Sequence, residues 1–359
     1  MRSKEAFQDR LKIGLQSAWY KHGLLSFLIS ALLWPLSQVY KLLAFAHRQL
    51  YRSGILKSHK VNVPVVVVGN IVVGGGGKTP TVIALAQHLQ AQGIQVGVIS
   101  RGYGRTSTEC LEVKKDSKIT DVGDEPAGVF IACSAPVFVA NKRFEAASAL
   151  LNTYPDTQVI ISDDGLQHHA LQHDIAVTVF DDRGLGNGLL LPAGPLRESA
   201  EPLRESTVKT RHSLVLHTGN QAIKLTNTAA PQFAATRALA SYALRSDRSQ
   251  VSLNELKNSS KPLLALAGIA NPEAFFEMLR GVGLNLAQTV ALPDHYDFHY
   301  HLNSVSGNKY AGYTLICTIK DAVKLWLVQP EALAVPLEFE PEAAFFAAFD
   351  AMLNPLLKH

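Results

Sequence analysis

The run Gly74-Gly75-Gly76-Gly77-Lys78-Thr79-Pro80 places four glycines, an ammonium group and a hydroxyl on consecutive residues. Glycines let backbone N–H groups turn inward on an anion, a lysine there reaches the outer phosphates, and a threonine hydroxyl can ligate Mg²⁺. Together they form a cradle for a nucleoside triphosphate, although Val72 stands where the usual pattern has its first glycine. A second constellation, Asp163-Asp164-Gly165, ends an apolar run with two carboxylates, the hard oxygen ligands that Mg²⁺ needs opposite Thr79. Cations recur beside both: Arg101 and Arg105 around Gly102-Tyr103-Gly104, Arg143 after Asn141-Lys142, and Arg197 in a stretch dense in glycine and proline. Guanidinium groups grip phosphate oxygens two at a time, though the turn at 101–105 could equally be a solvated basic loop. The inventory suits phosphoryl transfer, which asks for cradled phosphates, a held divalent cation and neutralised negative charge.

The elements that must position these groups are legible around them. Residues 65–68, all valine, have the character of a buried parallel strand, and residues 81–89 that of the following helix, with Pro80 suited to its first turn. Residues 95–100 make a second strand that delivers Arg101 to the C-terminal edge of the sheet, where open α/β sheets bind ligands. A helix opens at Gly123-Asp124-Glu125-Pro126, where Asp124 judged alone is as much a cap as an acid. Strands at 136–140, 158–162 and 175–180 follow, then a long shaped loop through residues 181–198. The His169/His173 spacing would hold zinc only on a helix, for which this short segment leaves little room. Beyond residue 212 the expected elements are 213–217, 222–225, 263–267, 272–279, 313–318, 321–328 and 341–353.

With 359 residues and 47% hydrophobic content the chain can build more than one core. The expected fold class is α/β: a P-loop NTPase-like, mostly parallel sheet with helices on both faces, a second smaller α/β domain, and an N-terminal amphipathic membrane-associating helix. The expected division is 1–60 for the membrane-associating segment, 61–212 for the nucleotide-binding and catalytic domain, and 213–359 for a domain closing the cleft. Three cysteines without a Cys-x-x-Cys indicate neither a disulfide framework nor a cysteine zinc site, and fit a reducing compartment. The formal charge of +4 is uneven: residues 1–60 carry ten Lys/Arg against Glu5 and Asp9, which leaves a net −4 on the remainder. No nucleic acid is implied for the body.

In the N-terminal segment Leu25, Leu28, Ile29, Leu32, Leu36, Val39, Leu43 and Ala46 recur at helical spacing, with Ser26, Ser30, Ser37, Lys41 and Arg48 on another face. The densest apolar stretch, 24–35, would extend only ~18 Å, and Pro35 is expected to break or kink it, so it should not span a bilayer. Lys4, Arg10, Lys12, Trp19, Tyr20, Lys21 and Trp34 suit a segment lying in an anionic membrane surface. The alternative is a helix packed on the domain's own core. No signal peptide is expected, since the apolar stretch begins late and no clear cleavage site follows.

Taken together, the motifs resemble the tetraacyldisaccharide 4'-kinase family, the lipid A 4'-kinases of Gram-negative bacteria. The resemblance rests on Gly69-Asn70 to Pro80, Ser100 to Arg105, Gly123 to Pro126, Asp163 to His168, Pro192 to Glu198, Pro293-Asp294-His295-Tyr296 and Thr318-Ile319-Lys320-Asp321. It is dense over residues 65–205; Ile319 departs from the family's Glu. It implies ATP and Mg²⁺, a tetraacyldisaccharide 1-phosphate as glycolipid partner, and a peripheral or monotopic place on the cytoplasmic face of the bacterial inner membrane, with no obligate protein partner. For site residues it implies an acid/base pair of Asp124 and His295, with Lys78, Arg143 and Arg197 acting on the phosphates. Substrate contacts would come from Asn70, Arg101, Tyr103, Glu125, Gln167 and His168, and metal contacts from Thr79, Asp163, Asp164 and Glu198. Two other readings stay open on the residues alone: a membrane-docked P-loop ATPase switch and a soluble small-molecule kinase.

Overall fold

The computed structural model describes residues 18–21, 23–74, 76–199, 212–219, 228–269, 271–293, 296 and 312–357. Among the described residues eight strands come first in the chain: β1 (Val65–Gly69), β2 (Val96–Ser100), β3 (Leu111–Glu112), β4 (Val137–Val139), β5 (Val159–Asp163), β6 (Ile175–Phe180), β7 (His212–His217) and β8 (Gln232–Leu239). Six more, β9 (Tyr242–Leu244), β10 (Gln250–Ser252), β11 (Leu263–Ala267), β12 (Leu286–Ala291), β13 (Thr314–Thr318) and β14 (Leu333–Val335), form a second sheet, after which β15 (Leu337–Pro341) rejoins the first. The helices are α1 (Leu24–Arg52), α2 (Lys78–Ala91), α3 (Ile119–Val122), α4 (Asp124–Cys133), α5 (Arg143–Thr153), α6 (Leu253–Lys257), α7 (Pro272–Gly281), α8 (Ile319–Leu325) and α9 (Ala343–Leu353).

The first sheet runs in the order β15-β8-β7-β6-β1-β5-β2-β4-β3. Its seven inner strands are parallel, and β15 and β3 close the edges antiparallel. Parallel strands covered on both faces read as unbroken apolar runs, and every residue of β1, β2, β5 and β6 is buried. Two apolar clusters sandwich the sheet: one gathers α2, α4 and α9, the other α5. The second sheet, β10-β9-β14-β13-β11-β12, is likewise packed on two faces, one of them by α6 and α7 and the other by α8.

The division of the chain differs from the expected boundary at 212/213. β7 and β8 extend the first sheet, and β15 with α9 returns to it, α9 burying Phe345, Phe349 and Leu353 in its main cluster. The second sheet therefore takes only residues 242–335. The expected elements include no strand between 225 and 263, where the structure has β8, its inner-facing residues Ala235 and Leu239 buried. The strand expected at 222–225 lies outside the described residues.

Helix α1 also departs from expectation. It runs through Pro35 for 29 residues, ~43 Å at ~1.5 Å per residue, so length does not keep it out of a bilayer. Nor is it packed on the core by its apolar face. Leu24, Leu25, Phe27, Leu32 and Leu42 are 66–81% exposed, whereas Ser30 and Ser37 are 8% and 1% exposed. The side turned to the protein is the stripe Ser26, Ser30, Leu33, Ser37, Tyr40, Ala44, Arg48 and Tyr51, at alternating spacings of about one turn. The helix is amphipathic with its polar side inward.

Candidate active site

β1 feeds the glycine loop, and α2 begins at Lys78 with Gly77 as its N-cap in the left-handed region, φ 92°. Only glycine accepts that conformation freely, and there is no room for more: a Cβ on Gly77 would stand 2.5 Å from Arg237 Nη2. The loop is tied from both ends. Asn70 Nδ2 donates to Gly74 O at 2.9 Å, Thr218 Oγ1 donates to Gly76 O at 2.7 Å, and Arg237 Nη2 donates to Thr218 Oγ1. Lys78 Nζ lies 3.5 Å from both Gly74 O and Asp164 Oδ1. Thr79 and Pro80 occupy the first turn of α2. Gly75 lies outside the described residues.

Parallel pairing sets Val68 of β1 beside Asp163 of β5, so the two carboxylates emerge next to the loop. Asp163 is 2% exposed, and its Oδ1 has no hydrogen-bond partner. Burial, with the Glu125 and Asp164 charges adding to it, pushes its carboxyl up to about 7 against the pull of Lys78 and Arg143. Asp164 turns away through a positive φ of 47°, a conformation costly for a residue with a Cβ. Its carboxylate receives Arg197 Nη1 at 3.1 and 3.2 Å as well as Lys78. Burial alone would raise it; these cations hold it below the usual carboxylate range.

Arg143, at the start of α5, is buried, and its Nη2 donates to the carbonyls of Asp163 (3.4 Å) and Asp164 (3.2 Å). Its Nε has no partner, and burial lowers the guanidinium to about 10, which leaves it charged at neutral pH. The backbone N–H of Arg143 donates to His168 Nε2 at 3.4 Å. Burial and the charges of Arg143 and Arg101 lower this imidazole to about 4, so it is neutral at physiological pH. Gln167 Nε2 donates to Asn70 O at 3.1 Å and to Glu198 Oε1 at 2.7 Å, and Arg197 Nη1 donates to Gln167 Oε1 at 3.4 Å. Glu198, raised by burial, is paired through Oε2 with Arg48 of α1 at 3.2 Å.

At the same edge, Asp124 and Glu125 open α4. Lys324 Nζ donates to Asp124 Oδ2 at 3.0 Å, and Lys320 stands 3.9 Å from Glu125, both lysines coming from α8 of the second sheet's unit. Arg101 and Tyr103 are exposed on the turn after β2. The structure thus gathers Asn70, Lys78, Arg143, Asp163, Asp164, Gln167, His168, Arg197 and Glu198 into one connected group. His295 lies outside the described residues, so its relation to Asp124 is not placed. Sequence reasoning missed Thr218, Arg237 and Lys324. Lys320 and Lys324 sit at i,i+4, which puts them on one face of a helix without marking what that face meets; Arg237 in an alternating strand carries no mark either.

This site can cradle phosphates and neutralise negative charge. The family model described as tetraacyldisaccharide-1-P 4'-kinase matches residues 29–354. The tetraacyldisaccharide 4'-kinase of Polaromonas sp. (strain JS666 / ATCC BAA-500) is 54% identical over 333 residues, 92% of this chain and 94% of that one. That of Polaromonas naphthalenivorans (strain CJ2) is 51% identical over 351 residues, 97% and 96% of the two chains. Among solved structures, LpxK from Aquifex aeolicus in complex with ATP matches with a TM-score of 0.75 at 27% identity, over 92% of this chain and 99% of that one.

Proposed function

The chain belongs to the tetraacyldisaccharide-1-P 4'-kinase family and is an ATP-dependent lipid A 4'-kinase; from that premise we propose how its residues carry out the transfer and where the enzyme works. The reaction joins the acceptor's 4'-oxygen to the γ-phosphorus, breaks the bond from that phosphorus to the β–γ bridging oxygen, and leaves ADP. The loop N–H groups and Lys78 bind the phosphates. Arg197 and Arg143 neutralise the charge that spreads over the transferring group. The hydroxyl proton passes to the Asp124 carboxylate, which His295 orients.

The observation that carries this reading is the buried Asp163 carboxylate, whose Oδ1 lacks a partner, beside Lys78. A carboxylate driven up by burial and by negative neighbours fits a dication, and Asp163 with Thr79 is the pair that would hold Mg²⁺, with Asp164 and Glu198 as further oxygen donors. Such an ion would supply positive charge to the phosphate oxygens and polarise the transferring group. Tyr103, Arg101, Glu125, Gln167 and His168 contact the sugar phosphate. The exposed apolar side of α1 rests in a membrane surface, the cytoplasmic face of the inner membrane, where the acylated acceptor resides.

The test is phosphate transfer from labelled ATP, with Mg²⁺, to a panel of glycolipids. Product on a tetraacyldisaccharide 1-phosphate, lost in Lys78→Ala and Thr79→Ala with folding intact by circular dichroism, is the expected result. Hydrolysis of ATP without glycolipid product would instead mark a switch, and near-normal transfer in either variant would remove the P-loop roles.

A further inference from the structure

Helix α8 is held in place with unusual care for seven residues. Thr318 caps it, accepting from Asp321 N at 3.1 Å and donating to Asp321 Oδ2 at 2.7 Å. The same Asp321 oxygen accepts from Gly268 N at 3.0 Å, which ties the start of α8 to the chain leaving β11. Asp321 is buried, so these bonds replace solvent and fix the helix direction. With that direction set, Lys320 and Lys324 fall on one face a turn apart and meet Glu125 and Asp124, the first two residues of α4.

The two contacts are not equivalent. Lys320 stands 3.9 Å from Glu125, whereas Lys324 makes a 3.0 Å bond to Asp124, whose side chain is 4% exposed. A charge pair so shielded is screened little by salt, and Asp124 Oδ1 also accepts from Glu125 N at 3.1 Å.

Resting on the reading of Asp124 as the base for the acceptor hydroxyl, we propose that Lys324 is a positioning residue for phosphoryl transfer. It holds the Asp124 carboxylate in place through the 3.0 Å bond, and it links the unit built on the second sheet to the chemical step. Lys324 touches neither substrate in this role and acts through Asp124. The nucleotide cradle, built on β1 and α2, does not depend on it.

The experiment compares Lys324→Met, Lys324→Arg, Asp124→Asn and the double variant Asp124→Asn/Lys324→Met in full-length enzyme, measuring kcat and the KM for ATP. Lys324→Met keeps the aliphatic stem and removes the charge. It should lower kcat roughly tenfold or more, with the ATP KM changed by less than about twofold; Lys324→Arg should recover most of the loss. The double variant should be no slower than Asp124→Asn. Should Lys324→Met not fold, Lys324→Gln is read in the same way. Wild-type kcat in the Met or Gln variant alongside an impaired Asp124→Asn, or losses that multiply in the double variant, would overturn the role of Lys324 and leave Asp124 standing. Near-normal turnover in Asp124→Asn would instead remove the base assignment itself.

Discussion

Asp163→Asn should separate stability from activity. The folded protein raises this carboxyl from 3.8 to about 7, so the group costs nothing where it is protonated in both states, below about pH 4, and its cost grows as pH rises toward and through 7. Without metal, the Asn variant should therefore melt a few degrees higher than wild type at pH 8 and about equally at pH 4, while losing glycolipid phosphorylation. Thermal denaturation in chelator at the two pH values measures it; an Asn variant less stable at pH 8 would contradict the cause given for the shift. Arg237 offers a second residue-scale test. It braces Thr218, which holds the Gly76 carbonyl, so Arg237→Ala should raise the KM for ATP roughly tenfold, as loss of a charge-assisted hydrogen bond does, with the glycolipid KM little changed. Steady-state kinetics with each substrate varied in turn would show the split.

At the scale of the element, α1 has two distinct sides. Its outward side is a row of leucines and aromatics, and its inward side holds the loop that carries Arg197 and Glu198. Ser37 Oγ donates to Leu190 O at 2.9 Å, Tyr40 Oη to Arg197 O at 2.7 Å, and Asn187 Nδ2 to Ser30 Oγ at 3.1 Å, while Arg48 pairs with Glu198. Deleting residues 1–50 would therefore remove the proposed membrane contact and also disturb the loop carrying Arg197 and Glu198, so loss of activity on truncation would not isolate that contact. Point changes on the outer side do. Leu32→Asp with Leu36→Asp should abolish sedimentation with anionic vesicles while leaving melting temperature and ATP KM unchanged, because neither side chain packs on the protein. Undiminished vesicle binding would show that this face is not the anchor.

For the whole molecule, the decisive feature is that the chain returns. β15 pairs with β8, and α9 fills the first sheet's principal core with Phe345 and Phe349, both fully buried. The nucleotide unit is thus completed by residues that follow the entire second sheet. Phe349→Ala should cost about 3–5 kcal/mol, read by chemical denaturation. A fragment ending at residue 212 should fail to fold as a soluble nucleotide-binding unit, lacking β7, β8, β15 and α9. Cooperative unfolding of such a fragment with native-like ATP binding would disprove this.

The phosphate loop, the strand-borne carboxylates and the parallel sheet were legible in the sequence because each depends on neighbours in the chain. The valines of β1 demand burial, glycines permit the turn, and Lys78 and Thr79 follow at fixed offsets. The amphipathic character of α1 was equally local. Which side of α1 would face the protein was not, since both stripes have helical spacing and only the loop at 184–198 shows that the serines and Tyr40 have partners. Pro35 lies inside an unbroken helix. The division of the sheets, the brace of Thr218 and Arg237, and the pairing of Lys324 with Asp124 200 positions away were settled by tertiary structure alone. Their energy comes from charges and apolar faces that meet only once both sheets have formed, and no local spacing records that meeting.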